Sequence, residues 1–294
     1  MPELPDIKLY EIALNKLLAG KALLKVIVKS PFLMRTFDPP IEDVENQLIQ
    51  RIYHLEKKLV WKLDTGHCLV FHLMIAGRFH WRAAGKLPRS KNDLAAFQFE
   101  DGTMMLTEAS QKKRASLHLI AEECEVEQFR RGGLDLFECS VEQFRNQLQI
   151  RNRTLKRALT DPVNFSGVGN AYSDEILHHA QLSPLKRTAN LTDEEIDRLF
   201  DSCRIVLQIW IDRLLQQAGD VFPEKVRAMR PEMFVHGRYG KPCGVCRKKV
   251  QRIRYAENEC NYCPNCQTQG KLLADRSLSR LLKDDWPKNI DELE

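Results

Sequence analysis

The chain has 294 residues, nine cysteines and a formal net charge of +5 at pH 7. This length supports two domains and a small metal-binding module. No apolar run approaches the roughly 20 residues that span a membrane. There is also no signal-peptide pattern, and so many cysteines without one favour a reducing compartment over a secreted disulfide scaffold.

The chain begins with Met1, followed by Pro2-Glu3-Leu4-Pro5. Removal of Met1 would leave Pro2 as a secondary amine directly beside the Glu3 carboxylate. An α-amino group titrates near pH ~8, about two units below a lysine, so part of it is neutral in the cell. A neutral amine can attack an electrophilic sugar carbon to form a Schiff base, and a neighbouring carboxylate can move the protons. The alternative interpretation is an ordinary proline at the start of a helix.

The first half of the chain is predicted to be mostly strands after one helix. The helix is expected from Pro5 to about Leu18. Residues 20–118 then alternate between apolar and polar as strands do, with turns at 64–66 and at Asp101-Gly102. The predicted strands are 22–28, 60–63, 68–74, 97–99 and 104–106.

The second half is predicted to be helical, with Gly132-Gly133 marking the boundary. Thr192 and Glu195 have the spacing of a capping box, so a long helix should start there. Its apolar residues keep helical spacing and are interpreted as core. They are Ile196, Leu199, Phe200, Cys203, Val206, Leu207, Trp210 and Leu214.

A glycine-rich segment lies between two predicted helices of this half. A short helix at 154–159 is followed by Gly167-Val168-Gly169-Asn170 and the start of another helix. Glycines before a helix leave backbone N–H groups able to bind a phosphate, and the helix dipole assists. Asn170 can donate to the same anion. A plain turn is the alternative, but in this context we expect phosphate binding.

Two CxxC pairs separated by sixteen residues predict a structural zinc site. Cys260 and Cys263 form a further CxxC, but Pro264 suits a tight knuckle and the longer separation leaves room for two strands. The strand pattern over 250–255 then indicates a hairpin held by the metal. The predicted ligands are Cys243, Cys246, Cys263 and Cys266.

Basic residues concentrate at and before this hairpin. From Phe222 to Arg254 there are ten Lys or Arg and two Glu. Such a block is often only a solvated surface, but beside a zinc hairpin it favours contact with phosphates.

Together, the N-terminal motif, the glycine-rich segment and the cysteine pairs resemble the formamidopyrimidine-DNA glycosylase and endonuclease VIII family of base-excision repair enzymes. The resemblance spans nearly the whole chain, and 235–243 also looks like the family's approach to its zinc finger. It implies an α+β fold with an N-terminal antiparallel β-sandwich and flanking helices, a helix–two-turn–helix domain and a C-terminal zinc-finger β-hairpin. The implied domains are 1–130, 131–234, 235–270 and a helical tail at 271–294.

The resemblance also implies roles for individual residues. Pro2 would be the nucleophile at the sugar C1′ and Glu3 its acid/base partner. Counting back from His72-Leu73 places the family's hairpin lysine at Lys58, with Lys57 adjacent. Gly169 and Asn170 match the phosphate-binding turn. Zinc, as a single ion, would have a structural role only.

The chain departs from the family at several positions that contact DNA. Ile75 takes the place of a methionine wedge, and an apolar isoleucine can fill the space left by a flipped base. The loop 109–114 has lost the aromatic and arginine that probe the opposite base, but carries Lys112, Lys113 and Arg114. Asn258 stands where the family has a phosphate-binding arginine, and the substitutes on the neighbouring strand are Arg252 and Arg254.

We therefore expect a DNA glycosylase that removes damaged bases and nicks the abasic site by β- or β,δ-elimination. Its partner would be double-stranded DNA containing a damaged base or abasic site. We expect a monomer with no membrane partner, cytoplasmic at a bacterial nucleoid or otherwise intracellular. Two alternatives remain: a non-catalytic damaged-DNA binding protein, and an enzyme preferring oxidised pyrimidines or bulky lesions. In the tail, an apolar stripe (Leu272, Leu273, Leu278, Leu281, Leu282 and Trp286) predicts a helix that braces the finger or the helical half.

Overall fold

The computed structural model describes residues 1–227, 229–255, 258–275 and 287–293. The chain divides into two compact units. The first comprises Met1–Arg130 and Trp210–Arg227, and the second comprises Arg131–Ile209 and Ala228–Glu294. None of the described helices is both long enough and apolar enough to cross a membrane.

The first unit contains one N-terminal helix, α1 (Leu4–Leu18), and two antiparallel sheets. The strands are β1 (Ala22–Leu23), β2 (Lys25–Val28), β3 (Gln47–Leu55), β4 (Lys58–Leu63), β5 (Cys68–His72), β6 (Gly77–Arg82), β7 (Asp93–Gln98), β8 (Thr103–Glu108) and β9 (Ser116–Ile120). One sheet has the order β1-β3-β4-β5-β9 and the other β2-β7-β8-β6. The predicted strand 22–28 is thus two strands, one in each sheet.

Aromatic residues from both sheets form the core between them. The Trp61 ring of β4 packs against Phe79 of β6 at 5.7 Å and Phe97 of β7 at 5.3 Å between ring centroids. Trp61, Phe79 and Phe97 are fully buried. Apolar faces turned toward each other in this way make the antiparallel sandwich that was predicted.

The second unit is built from helices and one hairpin. Its helices are α2 (Val141–Gln149), α3 (Leu155–Thr160), α4 (Asn170–His179) and α6 (Pro264–Thr268), and the hairpin strands are β10 (Gln251–Tyr255) and β11 (Asn258–Tyr262). Helix α5 (Asp193–Ala218) begins in this unit, and its last turns belong to the first.

The capping box predicted at the start of α5 is present. The N–H of Glu195 donates to Thr192 Oγ1 at 3.3 Å, and the N–H of Thr192 donates to Glu195 Oε2 at 3.0 Å. All eight apolar residues predicted for the core face of this helix are buried. The α+β fold class with a C-terminal cysteine-bearing hairpin is confirmed.

Candidate active site and nucleic-acid interface

The N-terminal motif forms the first turn of α1. Glu3 is the N-cap residue, and its N–H donates to Asp6 Oδ2 at 3.0 Å in a capping box. Pro5 stands in the first turn, where a missing N–H costs nothing. Pro2 and Glu3 are both buried. A capping box in the first turn of α1 therefore joins Asp6 to Glu3, the residue next to the predicted nucleophile Pro2.

The terminal amine lies in a site that disfavours its protonation. Burial lowers the pKa of the Met1 amine below its usual 8.0, and the positive charges of Arg78 and Lys57 lower it further, while Glu3 opposes the shift. An amine of lowered pKa is more often neutral at pH 7 and hence nucleophilic. This environment suits Schiff-base chemistry at the start of the chain.

The two adjacent lysines of the β3–β4 turn have different surroundings. Burial lowers the pKa of Lys57, and the Glu3 and Glu56 carboxylates partly offset this effect. Lys58 donates from Nζ to the carbonyl oxygen of Phe129 at 2.8 Å and lies 3.6 Å from Glu56 Oε2. Lys57 is thus an electrostatic neighbour of Glu3 and of the terminal amine, directly beside Lys58, the lysine predicted from the sequence.

Ile75 lies on a tight turn between β5 and β6. The N–H of Gly77 donates to the carbonyl of Leu73 at 2.8 Å, and a Cβ on Gly77 would come within 2.3 Å of that oxygen. Arg78 braces the turn, because its guanidinium donates to the carbonyls of Gly77 and Val226. Ile75 itself is 54% exposed at the tip. The predicted wedge is an apolar side chain presented to solvent on a stiff turn.

The basic loop after β8 is organised by a buried carboxylate. Glu108 accepts from the N–H groups of Arg114 and Ala115 at 2.8 and 3.0 Å. Lys113 points inward and donates to the Glu108 carbonyl and, at 3.3 Å, to Asn92 Oδ1. Lys112 and Arg114 are exposed. Of the three residues in this loop that were predicted to contact DNA, Lys112 and Arg114 therefore face solvent and Lys113 does not.

Helix α4 begins at Asn170, directly after the two glycines. Gly167 has φ +80°, a left-handed conformation that glycine adopts without strain. Gly169 is the N-cap residue. The Asn170 side chain donates from Nδ2 to the carbonyl of Glu259 in β11 at 2.9 Å. The predicted phosphate-binding asparagine thus contacts the cysteine-bearing hairpin.

Two buried carboxylates follow Asn170 on α4. Burial alone would raise the pKa of Asp174, but Lys156 and His236 outweigh it and the pKa is lowered. Glu175 accepts from the N–H groups of three consecutive residues, Phe234 to His236, at 2.8, 2.9 and 2.9 Å. These carboxylates attach α4 to the segment that leads into the first CxxC pair.

The four predicted zinc ligands lie together. The sulfurs of Cys246 and Cys263 are 3.3 Å apart, and those of Cys243 and Cys266 are 4.0 Å apart. Four thiolates at about 2.3 Å from a tetrahedral ion would have similar separations. Cys260 is buried elsewhere in the hairpin, close to Asp174. The donor set fits a structural zinc ion.

One histidine also approaches this cluster. His178 belongs with Cys243, Cys263 and Cys266 in a group whose donor atoms lie within 4.8 Å of one another. Its Nε2 is 3.3 Å from Cys243 Sγ. Burial lowers the pKa of His178 to about 4, so its ring is neutral at pH 7. No sequence motif marks this residue.

The hairpin arginines have defined partners. The Arg252 guanidinium lies over the Tyr239 ring, 4.2 Å from its centroid, and 3.3 Å from Glu259 Oε2. Arg254 is exposed, and its backbone N–H donates to Asp275 Oδ2 at 2.8 Å. The side chain of Asn258 lies outside the described residues. Both predicted substitutes for the missing finger arginine are thus present on β10.

The two described ends of the tail pair with each other beside the hairpin. The N–H of Leu272 donates to the Lys288 carbonyl at 2.8 Å, and the N–H of Ile290 donates to the Gly270 carbonyl at 2.9 Å. The N–H of Leu273 donates to the hydroxyl of Tyr262 in β11 at 2.8 Å. Most of the predicted helical stripe (Leu278, Leu281, Leu282 and Trp286) lies outside the described residues.

Comparison with known proteins identifies the family to which the chain belongs. The family model for the formamidopyrimidine-DNA glycosylase N-terminal domain matches residues 1–114, and the H2TH domain model matches residues 135–217. A formamidopyrimidine-DNA glycosylase of Heliobacterium modesticaldum is 30% identical over 277 residues, which cover 91% of this chain and 100% of the relative. The chain belongs to the formamidopyrimidine-DNA glycosylase family.

Other relatives agree. A formamidopyrimidine-DNA glycosylase-like protein of Mycobacterium tuberculosis is 38% identical over 151 residues, covering 51% of this chain and 94% of that protein. The Lactococcus lactis enzyme, solved with DNA containing an oxidised pyrimidine, is 26% identical with a TM-score of 0.81, covering 91% of this chain and all of that one. A variant of the same enzyme, solved with Fapy-dG DNA, has a TM-score of 0.79 at 25% identity, with the same coverage. The family resemblance seen in the sequence is confirmed.

Proposed function

We propose that this glycosylase acts through the Pro2 amine once Met1 is removed. The supporting observation is the buried site at the start of the chain, where Pro2 and Glu3 are buried and burial lowers the pKa of the Met1 amine. After loss of Met1, the amine would sit on Pro2, next to the buried Glu3. A neutral nucleophile beside an acid/base carboxylate is the arrangement that covalent catalysis at a sugar carbon requires.

The chemistry follows from these two groups. Attack of the Pro2 amine on C1′ displaces the damaged base, and Glu3 supplies and removes the protons of base loss and sugar opening. The resulting imine makes the C2′ proton acidic, so β-elimination cleaves the strand 3′ to the lesion. A second elimination releases the sugar. We assign the nearby cationic role to the adjacent lysines Lys57 and Lys58: Lys57 interacts electrostatically with both Glu3 and the terminal amine, and Lys58 is the lysine that the family resemblance selects.

The remaining residues would bind the DNA. Asn170 and the positive end of the α4 dipole suit a phosphate, and so does Arg252 in the adjoining hairpin. Ile75 would occupy the space that a flipped base leaves. Four thiolates leave a zinc ion no open position, so one structural ion would only hold the hairpin in place. We expect the enzyme to work as a monomer in the compartment that contains the DNA.

Borohydride trapping with an abasic duplex tests the proposal, since reduction converts the imine into a stable covalent adduct. We expect Pro2→Gly to trap far less DNA, and Glu3→Gln to lose base removal from a lesion-containing duplex by about 100-fold or more. Wild-type protein that binds the duplex but yields no adduct would support the alternative of a non-catalytic damaged-DNA binding protein.

The basic loop bears on the substrate. With Lys113 directed inward and no aromatic side chain in 109–115, the loop offers cations for phosphates rather than a probe for the opposite base. We therefore propose weak discrimination between opposite bases, less than about tenfold. Single-lesion duplexes carrying oxidised purines or pyrimidines opposite each of the four bases would measure this. Strict dependence on an opposite cytosine would contradict it.

A further inference from the structure

Helix α4 presents three polar side chains along one side. Asn170, Asp174 and His178 are spaced by four residues, so they lie above one another on the same face. Each contacts a different part of the hairpin or of the segment leading into it. We call these three residues the α4 seam. The seam spans α4 from its first residue nearly to its last.

The middle of the seam is fixed by a buried charge. Asp174 has no exposed surface, and its Oδ2 accepts from the N–H of Asn261 in β11 at 3.0 Å. The same oxygen lies 2.8 Å from Nδ1 of His236, and Lys156 pairs with Oδ1. Lys156 also donates to the carbonyl of Asn170 at 2.6 Å. Since breaking such a buried network is costly, the hairpin cannot shift on α4 without losing it.

His178 is held at the end of the seam nearest the metal ligands. It is 5% exposed, and its ring lies nearly parallel to that of Phe234, with centroids 5.7 Å apart. Phe234 in turn packs on Gly244, where a Cβ would come within 2.9 Å of the ring. A thiolate can only accept a hydrogen bond, so the 3.3 Å contact requires the proton on Nε2.

This hydrogen bond would stabilise the negative charge of a four-thiolate site. Zinc with four thiolates carries a net negative charge, and N–H donors to sulfur offset it where water is excluded. The backbone N–H of Val245 already points at Cys243 Sγ at 3.4 Å. His178 adds a side-chain donor to the same sulfur from a different element of the fold.

We propose that His178 is a positioning residue of the metal centre, whose Nε2–H donates to the Cys243 thiolate and so couples metal retention to the helix that begins with Asn170. Asn170 and His178 belong to the same short helix, and both contact the cysteine-bearing hairpin or the segment leading into it. Loss of the metal would therefore disturb the hairpin at the point where Asn170 contacts it. The part that concerns phosphate binding at Asn170 rests on the proposed function. The part that concerns the metal does not.

Zinc retention tests the first part without DNA. His178→Phe keeps a ring against Phe234 but removes the donor, whereas His178→Gln restores an N–H at similar reach. His179→Gln is the matched control, because His179 contacts Ser202 of α5 instead. In competition with a chromophoric chelator, we expect His178→Phe to bind zinc about 10–100-fold more weakly. His178→Gln and His179→Gln should stay within about threefold of wild type.

Two results would overturn this part. One is wild-type zinc affinity in His178→Phe, with circular dichroism showing a folded protein. The other comes from cobalt(II) substitution, whose visible spectrum distinguishes four sulfur ligands from three sulfurs and one nitrogen. We expect the four-sulfur spectrum in wild type and in His178→Gln. A spectrum with one nitrogen ligand, lost in His178→Phe, would make His178 a direct ligand instead. If His178→Phe does not fold, His178→Leu, which lacks a donor, is compared with His178→Gln in its place. Equal zinc affinity in these two variants would overturn this part.

The coupling has its own measurement. Linkage is reciprocal, so DNA bound at Asn170 should strengthen zinc binding by the factor that zinc strengthens DNA binding. A saturating abasic-analogue duplex should therefore slow zinc transfer to the chelator in wild type, and less so in His178→Phe. An equal effect of DNA on both proteins would refute the coupling. Absence of DNA binding in wild type would count against the proposed function alone, since the zinc affinities are measured without DNA.

Discussion

The N-terminal site and the cysteine-bearing hairpin are constructed in opposite ways. Pro2, Glu3 and Asp6 are neighbours in sequence, and a capping box within the first turn of α1 joins Glu3 to Asp6. The hairpin is placed by contacts across long stretches of chain, such as Asn170 with Glu259 and His178 with Cys243. A functional site whose residues are adjacent in sequence can be predicted from the sequence directly. A site assembled from distant elements can be predicted only where its residues form a recognisable motif, as the paired cysteines do.

Removing the metal should have the largest effect on DNA affinity, and the structural change should be confined to the hairpin. In Cys266→Ser, the hairpin would lose at least two phosphate contacts of about 1.5 kcal/mol each, and affinity for an abasic-analogue duplex should fall by on the order of 100-fold. Helical circular dichroism should change little, because the hairpin is a small part of the fold. Cys260→Ser is the control and should retain zinc. Zinc loss in Cys260→Ser but not in Cys266→Ser would show that the ligand set is wrong.

The second prediction concerns the two adjacent lysines near the N-terminal site, Lys57 and Lys58. Lys57 lowers the pKa of the terminal amine, so Lys57→Ala should raise it. The neutral amine is the nucleophile and predominates above its pKa, so the acid limb of the lyase pH profile should move to higher pH. The rate at pH 7 should fall by less than about tenfold, because Lys57 makes the smallest of several contributions to this pKa and one pKa unit corresponds to a factor of ten.

Lys58→Ala is the matched comparison for that experiment. Its amine donates to the Phe129 carbonyl and lies 3.6 Å from Glu56 Oε2, so its removal should shift the acid limb less than Lys57→Ala does. A larger shift with Lys58→Ala than with Lys57→Ala would favour Lys58, the lysine chosen from the sequence.

The sequence predicted the features that depend on nearby residues better than those that depend on distant partners. The predicted helix start at Pro5 lies within one residue of α1, and the eight apolar positions of α5 are all buried. Strands β3, β6 and β9 were missed, and in β3 and β6 charged and polar residues at exposed positions obscure the alternation. Glu108 and His178 were missed because a buried carboxylate or imidazole acquires its role from partners elsewhere in the chain. Lys57 could not be separated from Lys58 by counting alone.

The smallest expected effect concerns the tail. Ile290 is 3% exposed, and its N–H pairs with the Gly270 carbonyl next to the second CxxC. Ile290→Ala should cost about 2 kcal/mol and lower the melting temperature by about 4–8 °C. Ile205→Ala, at a 43% exposed position of the same unit, should change it by less than about 2 °C. Equal effects of the two substitutions would mean that the tail does not brace the hairpin.

The site of covalent attachment shows directly whether the reactive group is the amine of Pro2. Borohydride-reduced adduct with an abasic duplex can be digested and the DNA-bearing peptide identified by mass spectrometry. We expect a modified peptide that begins at Pro2 and lacks Met1, with the added mass on its terminal nitrogen. Attachment at Lys57 or Lys58, or an equal yield from protein that retains Met1, would contradict it.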